Sequence, residues 1–163
     1  MKDFAHPDSH DKVMGDLNAA LRSTTLVASN EIRRVAELVL ELAPLPLVPC
    51  HVGEISQVIL NLLVNAAHAV GDAGRGRGTI TVQSATIDGH AEIRIADTGH
   101  GIPAAIRDRV FEPFFTTKDV GRGSGQGLAI ARSIVHDKHG GSLTFESTEG
   151  VGTTFVVRLP LAA

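Results

Sequence analysis

With 163 residues, 43% of them hydrophobic, the chain is sized for one domain, and 6 Phe without any Trp or Tyr make its core mostly aliphatic. A formal net charge of −3 excludes the basic footprint that nucleic acid or an anionic membrane demands, and the single cysteine, Cys50, excludes an internal disulfide. No secretory leader or spanning apolar run is visible, so the expectation is a soluble, cytoplasmic unit with no nucleic-acid partner and no membrane contact of its own.

Residues 1–15 are mostly polar, contain Pro7 and read as a linker or the last turn of a helix begun upstream, which sets the domain at 16–163. From Asn18, an N-cap residue type, Leu21, Thr25, Ala28 and Ile32 recur at helical spacing and predict a helix to about Arg34. In VAELVLELA, residues 35–43, Ala36, Leu38, Leu40 and Leu42 alternate with Val35, Glu37, Val39 and Glu41, which predicts a strand. PLPLVP then enforces an extended connection. QVILNLLVNAAHA, residues 57–69, reads as an apolar helix ending near Val70, interrupted by Asn61 and Asn65 stacked on one face. Amides in such surroundings cost roughly 1–3 kcal/mol each without partners. Either they bond to neighbouring backbone and buried water, or something polar lies on that face.

GDAGRGRG, residues 71–78, reads as a flexible, solvated loop carrying Arg75 and Arg77. Residues 79–87 and 91–97 alternate around Asp88-Gly89 and predict an antiparallel hairpin. Ala91, Ile93, Ile95 and Asp97 share a face, so a carboxylate ends an apolar row, either as a turn cap or as a ligand acceptor. TGHGIP follows, and Pro103 suits the start of a short helix to residue 110. FEPFFTTK brings Phe111, Phe114 and Phe115 together as core or a hydrophobic anchor. DVGRGSGQGLAI is a glycine loop that opens a helix to about His139, with Leu128, Ala131, Ile134 and Val135 as its buried stripe. A loop of this kind is either a phosphate cradle at a helix N-terminus or a plain connection. SLTFES and GTTFVVRLP form a second hairpin around TEGVG. Together these elements predict a two-layer α/β (α+β) sandwich, with a mixed, mostly antiparallel sheet covered on one face by helices. Neither GxGxxG after a first strand nor a P-loop is present, so a phosphate site here belongs to another class.

The ordered set NLLVNAAHA, DTGHGIP, FEPFFTTK and GSGQGLAI resembles the asparagine, first glycine, phenylalanine and second glycine boxes of the catalytic and ATP-binding domain of bacterial sensor histidine kinases, in the GHKL superfamily. GVGTTF is similar to the family's last glycine-threonine motif, and the resemblance covers about residues 16–160. It implies the Bergerat-type ATP-binding fold, Mg²⁺-ATP as the bound nucleotide and a protein histidine kinase activity. On the matching positions it implies that Asn65 offers its carbonyl oxygen to Mg²⁺ with Asn61 in support. Asp97 would accept from the adenine amino group, with Gly99, Gly101 and Ile102 passing close to the base. A lid over residues 111–127, starting at Phe111, would bring Lys118 to the γ-phosphate as a third catalytic group beside the two amides. Gly123, Ser124, Gly125, Gln126, Gly127 and Leu128 would line the phosphates, and Thr153 would contact adenine through water.

The departures carry implications of their own. His68 stands where many members have Lys, and a phosphate contact from it would weaken above pH about 6.5. Gln126 replaces the usual Leu, and Cys50-His51 replaces the usual acidic helix start, which weakens the cap. Asn61 stands where ATPases of the superfamily carry a water-activating Glu; an amide takes no proton, which implies slow intrinsic hydrolysis. No phosphoacceptor box occurs, since Ser9-His10-Asp11 lacks the following proline and the helical hairpin. The resemblance therefore implies a fragment, with residues 1–15 the end of a truncated dimerisation helix, its own dimerisation and phosphoacceptor domain elsewhere, a homodimeric longer protein and a response regulator downstream. Two rivals are an anti-sigma-type serine protein kinase on the same fold and a nucleotide-binding module without catalysis.

Overall fold

The computed structural model describes residues 12–113 and 127–161. Helix α1 (Leu17–Arg33) begins at Asp16, whose carboxylate accepts from the Ala19 N–H at 3.0 Å while its own backbone stays extended. The cap is thus Asp16 and not Asn18, because a capping residue must stand outside the helical backbone and Asn18 is already within it. Asn18 serves instead as a tie to the sheet: Nδ2 donates to the Ala43 carbonyl at 2.7 Å and Oδ1 accepts from Ser84 Oγ at 2.8 Å. Leu17, Leu21, Ala28 and Ile32 form the helix's buried stripe.

Strand β2 (Ala36–Leu42) forms where alternation predicts it, and the short β3 (Val48–Cys50) follows. Val48 and Pro49, in the stretch expected to be an extended connection, pair together with Cys50 antiparallel to β1 (Val13–Gly15). Val13–Gly15, upstream of the boundary drawn at residue 16, therefore belong to the folded unit. Helix α2 (Val52–Ala73) runs past Val70 and ends where Gly74 turns left-handed at φ 67°, which shortens the expected glycine loop at both ends because Gly78 already opens the next strand. His51 precedes it without a side-chain cap, as the Cys50-His51 start implied.

Strands β4 (Gly78–Ile87) and β5 (His90–Asp97) form the expected hairpin, and β6 (Ser142–Thr148) with β7 (Gly152–Pro160) the second. The sheet order is β2-β4-β5-β7-β6, with β2 parallel to β4 and every other pair antiparallel. The predicted sandwich is present. Its inner sheet face is aliphatic, with Ile80, Val82, Ile93, Ile95, Val157 and Leu159 buried against Ile55, Ile59, Leu62, Leu63 and Ala66 of α2. Each such side chain contributes about 1.5–3 kcal/mol by leaving water, so Leu62→Ala would cost about 2–5 kcal/mol.

Pro103 precedes a 3₁₀ turn over Ala104–Arg109. The helix expected over 127–139 divides into α3 (Gly127–Arg132) and a π-helical turn, Ser133–Lys138. His139 follows, 3% exposed; its Nδ1–H donates to the Ile134 carbonyl at 2.8 Å and its Nε2 accepts from the His51 backbone N–H at 3.0 Å. Acceptance at Nε2 requires the neutral ring, and burial holds its pKa below the usual imidazole range. Among the described residues no helix is long and apolar enough to cross a membrane.

Candidate functional site

The central helix supplies one wall. Asn61 and Asn65 are half-buried on α2, not sealed in the core. Asn61 Nδ2 donates to the Gly127 carbonyl at 3.2 Å, and its Oδ1 accepts from Gln57 Nε2 at 2.7 Å, so the first amide joins α2 to the start of α3. One turn beyond Asn65 is Ala69, and here the turn after β5 presses on the helix: a Cβ at Gly99 would lie 2.7 Å from Ala69 backbone. Asn61, Asn65 and Ala69 thus mark a strip about 12 Å long between Gly127 and Gly99.

Asp97 closes one end of that strip. It ends β5 opposite Thr153 of β7 and Ile80 of β4, is 7% exposed, and accepts the Gly99 N–H at 2.8 Å. Burial pushes its carboxyl above the usual range, while backbone hydrogen bonds from Gly99 and Thr153 and the neighbouring His100 partly offset the shift. The turn-capping reading of Asp97 is therefore correct, and it does not exhaust the group. A carboxylate has about four lone-pair sites, so two N–H donors leave acceptor capacity. No arginine or lysine among the described residues pairs with it.

The floor beside Asp97 is built by close backbone approach. Gly101 stands at φ 75°, and a Cβ there would collide with the Thr148 carbonyl and reach 2.8 Å from Glu149 Cα. Ile102 donates its N–H to Ser147 Oγ at 2.8 Å, and the same hydroxyl lies 2.9 Å from Thr153 Oγ1. Arg107 adds two bonds, Nε to the Ile102 carbonyl at 3.1 Å and Nη2 to the Ser147 carbonyl at 2.8 Å. Arg75, read from its glycine-rich surroundings as solvated, donates to the Thr98, Gly99 and Gly150 carbonyls, and Arg77 Nη1 donates to the Arg33 carbonyl at 2.7 Å. Ser147, Arg107 and Arg75 are the residues here that periodicity and motif spacing did not reveal.

The remaining expected positions divide. Phe111 packs against Phe145 and Phe155, with ring centroids 5.9 and 6.4 Å away, and Arg132 Cζ lies 6.0 Å from its ring centre. Ile102 and Leu128 are partly buried against the core. His68 faces α1, its Nε2 3.7 Å from Glu31 Oε1. Lys118, Gly123, Ser124, Gly125 and Gln126, together with Phe114 and Phe115, lie outside the described residues.

Residues 51–163 match the family described as histidine kinase-, DNA gyrase B- and HSP90-like ATPase. The two-component sensor PprA of Pseudomonas aeruginosa is 42% identical over 113 residues, which cover 68% of this chain and 12% of PprA. The sensor histidine kinase ZraS of Escherichia coli K12 is 38% identical over 117 residues, 72% of this chain and 24% of ZraS, so the chain spans only a small part of either relative. The nucleotide-free catalytic domain of histidine kinase ThkA has a TM-score of 0.80 at 30% identity, over 93% of this chain and 99% of that one. ThkA in complex with the response regulator protein TrrA matches with a TM-score of 0.75 at 27% identity, over 93% of this chain and 42% of that one. Motif order, architecture and these likenesses converge: the chain belongs to the histidine kinase-, DNA gyrase B- and HSP90-like ATPase family, as an ATP-binding catalytic domain of the sensor histidine kinase kind.

Proposed function

We propose that Mg²⁺-ATP lies along the α2 strip, base at Asp97 and phosphates toward Asn65 and Asn61, and that the domain donates the γ-phosphoryl group to a histidine of a dimerisation domain in the longer protein. The observation that carries this is Asp97: a buried carboxylate ends an apolar row, meets no arginine or lysine among the described residues and keeps acceptor capacity. An adenine amino group is the donor that suits it. Ile102 and Thr153 flank the same end, and Ser147 fixes both.

The donor set fits a cation shared with phosphate. Magnesium prefers oxygen ligands and keeps waters and phosphate oxygens, so one amide oxygen from Asn65 suffices on the protein side. Among the described residues no group of three or more His, Cys, Asp or Glu could hold a metal by itself. When bound, the ion neutralises charge on the phosphoryl oxygens. Asn61 holds α2 to the start of α3 and has no group that takes a proton from water, which favours transfer over hydrolysis. Lys118 and the glycines from 123 to 127 complete the proposed phosphate end by family resemblance. A response regulator is the proposed acceptor of the next transfer, a partner class supported by the ThkA complex.

The test is transfer in trans. The chain is incubated with Mg²⁺, γ-labelled ATP and the longer protein carrying Asp97→Asn, which keeps the acceptor but lacks its own base contact. The expected product is acid-labile label on a histidine of the acceptor. Label on serine, or ATP binding with no transfer, contradicts the proposal.

A further inference from the structure

Arg75 sits in the short connection between α2 and β4 and is exposed, yet both of its terminal guanidinium nitrogens bond backbone. Nη1 donates to the Gly150 carbonyl at 2.6 Å, and Nη2 donates to the Thr98 and Gly99 carbonyls at 2.7 Å each. One planar fork therefore grips two loops: the turn that follows Asp97 and the tip of the β6–β7 hairpin. Gly150 also donates its N–H to the His100 carbonyl at 2.7 Å, so its N–H is used on that turn and its carbonyl on Arg75. Gly99 is held from both sides, its N–H by the Asp97 carboxylate and its carbonyl by Arg75. The guanidinium is thereby coupled to the carboxylate through a single residue.

We propose that Arg75 is a positioning residue that sets base selectivity, by clamping the Thr98-Gly99 turn so that Asp97 presents its free acceptor sites at a fixed depth. The inference rests on the nucleotide reading of the Asp97 end. Adenine offers an amino donor where guanine offers a carbonyl oxygen, so a rigid acceptor separates the two bases, and an acceptor able to retreat separates them less. Because Arg75 is exposed and grips only loop carbonyls, losing it releases the turn without opening the core.

Arg75→Ala and Arg75→Lys test this, with equilibrium binding of ATP and of GTP in Mg²⁺, well below the unfolding temperature, and thermal unfolding of each unliganded protein. In Arg75→Ala the ATP affinity falls about tenfold while GTP affinity holds, so the ATP-to-GTP ratio falls by the same factor. The unfolding midpoint stays within about 3 °C. Arg75→Lys recovers part of the ratio, since an ammonium donates to fewer of the three carbonyls in the required plane. A ratio equal to the wild type's overturns the inference, whether both affinities are unchanged or both fall together. A wild-type chain that binds no ATP overturns the nucleotide reading itself, which is a separate result from wild-type binding with an unaltered ratio in the variant.

Discussion

Strand β5 carries two buried carboxylates on opposite faces, and they are treated in opposite ways. Glu92, on the outer face, is 2% exposed and accepts from Arg158 Nε at 2.8 Å, with Arg94 Nη1 at 3.5 Å and Arg94 in turn bonded to Glu146 at 3.0 Å. Asp97, on the inner face, is 7% exposed and, among the described residues, meets backbone donors and the nearby His100. A carboxylate neutralised by two arginines is a fastening between strands. One left to backbone N–H groups makes its burial costly, and the fold keeps it at the mouth of a strip lined by two amides. The difference separates an acid that joins strands through arginine from one that, on the proposed reading, accepts from the adenine amino group.

The largest expected effect breaks the comparison at Asp97. Asp97→Asn should lower ATP affinity at least about 100-fold, measured by calorimetry, because the amide replaces a charged acceptor with one that also carries donors. Its stability effect has the opposite sign. The folded pKa is raised, so as pH rises the unfolded state ionises first and stability falls through the window up to the folded pKa, remaining lower at pH 7. Removing the charge should therefore leave the thermal midpoint at pH 7 equal or higher.

Glu92→Gln should show the reverse pattern: a loss of about 1–3 kcal/mol in denaturant unfolding, as Arg158 and Arg94 lose their shared anion, with ATP affinity of the folded protein unchanged. A smaller effect sharpens the functional side. Asn65→Ala should weaken ATP binding about tenfold with Mg²⁺ and little with EDTA, which titrations under both conditions would read. The smallest tests the fold away from the site. The His139 pKa is lowered on folding, so stability is full above about pH 6.5 and declines by up to about 1.4 kcal/mol per pH unit as acid protonates the unfolded chain first. His139→Gln should flatten that decline in unfolding curves between pH 7 and 5.

How far the sequence could be read follows from the range of each signal. A half-buried sheet imposes a period of two, which is why β2, β4, β5, β6 and β7 were legible and why Asp97 stood out as the end of a row. The amides were legible because i and i+4 stack on a helix. Strands β1 and β3 were not, since three residues carry no period. Asp16 and Asn18 are both cap residue types, and only the backbone at residue 16 decides between them. Arg75 stayed hidden because its bonds span 23 to 75 positions along the chain, and glycine-flanked arginine looks the same whether it is solvated or gripping a distant carbonyl. Ser147 and Arg107 were missed for the same reason.

The most direct test of the central claim is a crystal structure of the chain with Mg²⁺ and a non-hydrolysable ATP analogue. The account predicts the adenine amino group within hydrogen-bond distance of the Asp97 carboxylate and the triphosphate running along α2 toward Asn65. A nucleotide seated elsewhere, for example in the outer-face recess lined by Glu41, Gln83 and Arg94, or a base turned away from Asp97, would contradict it.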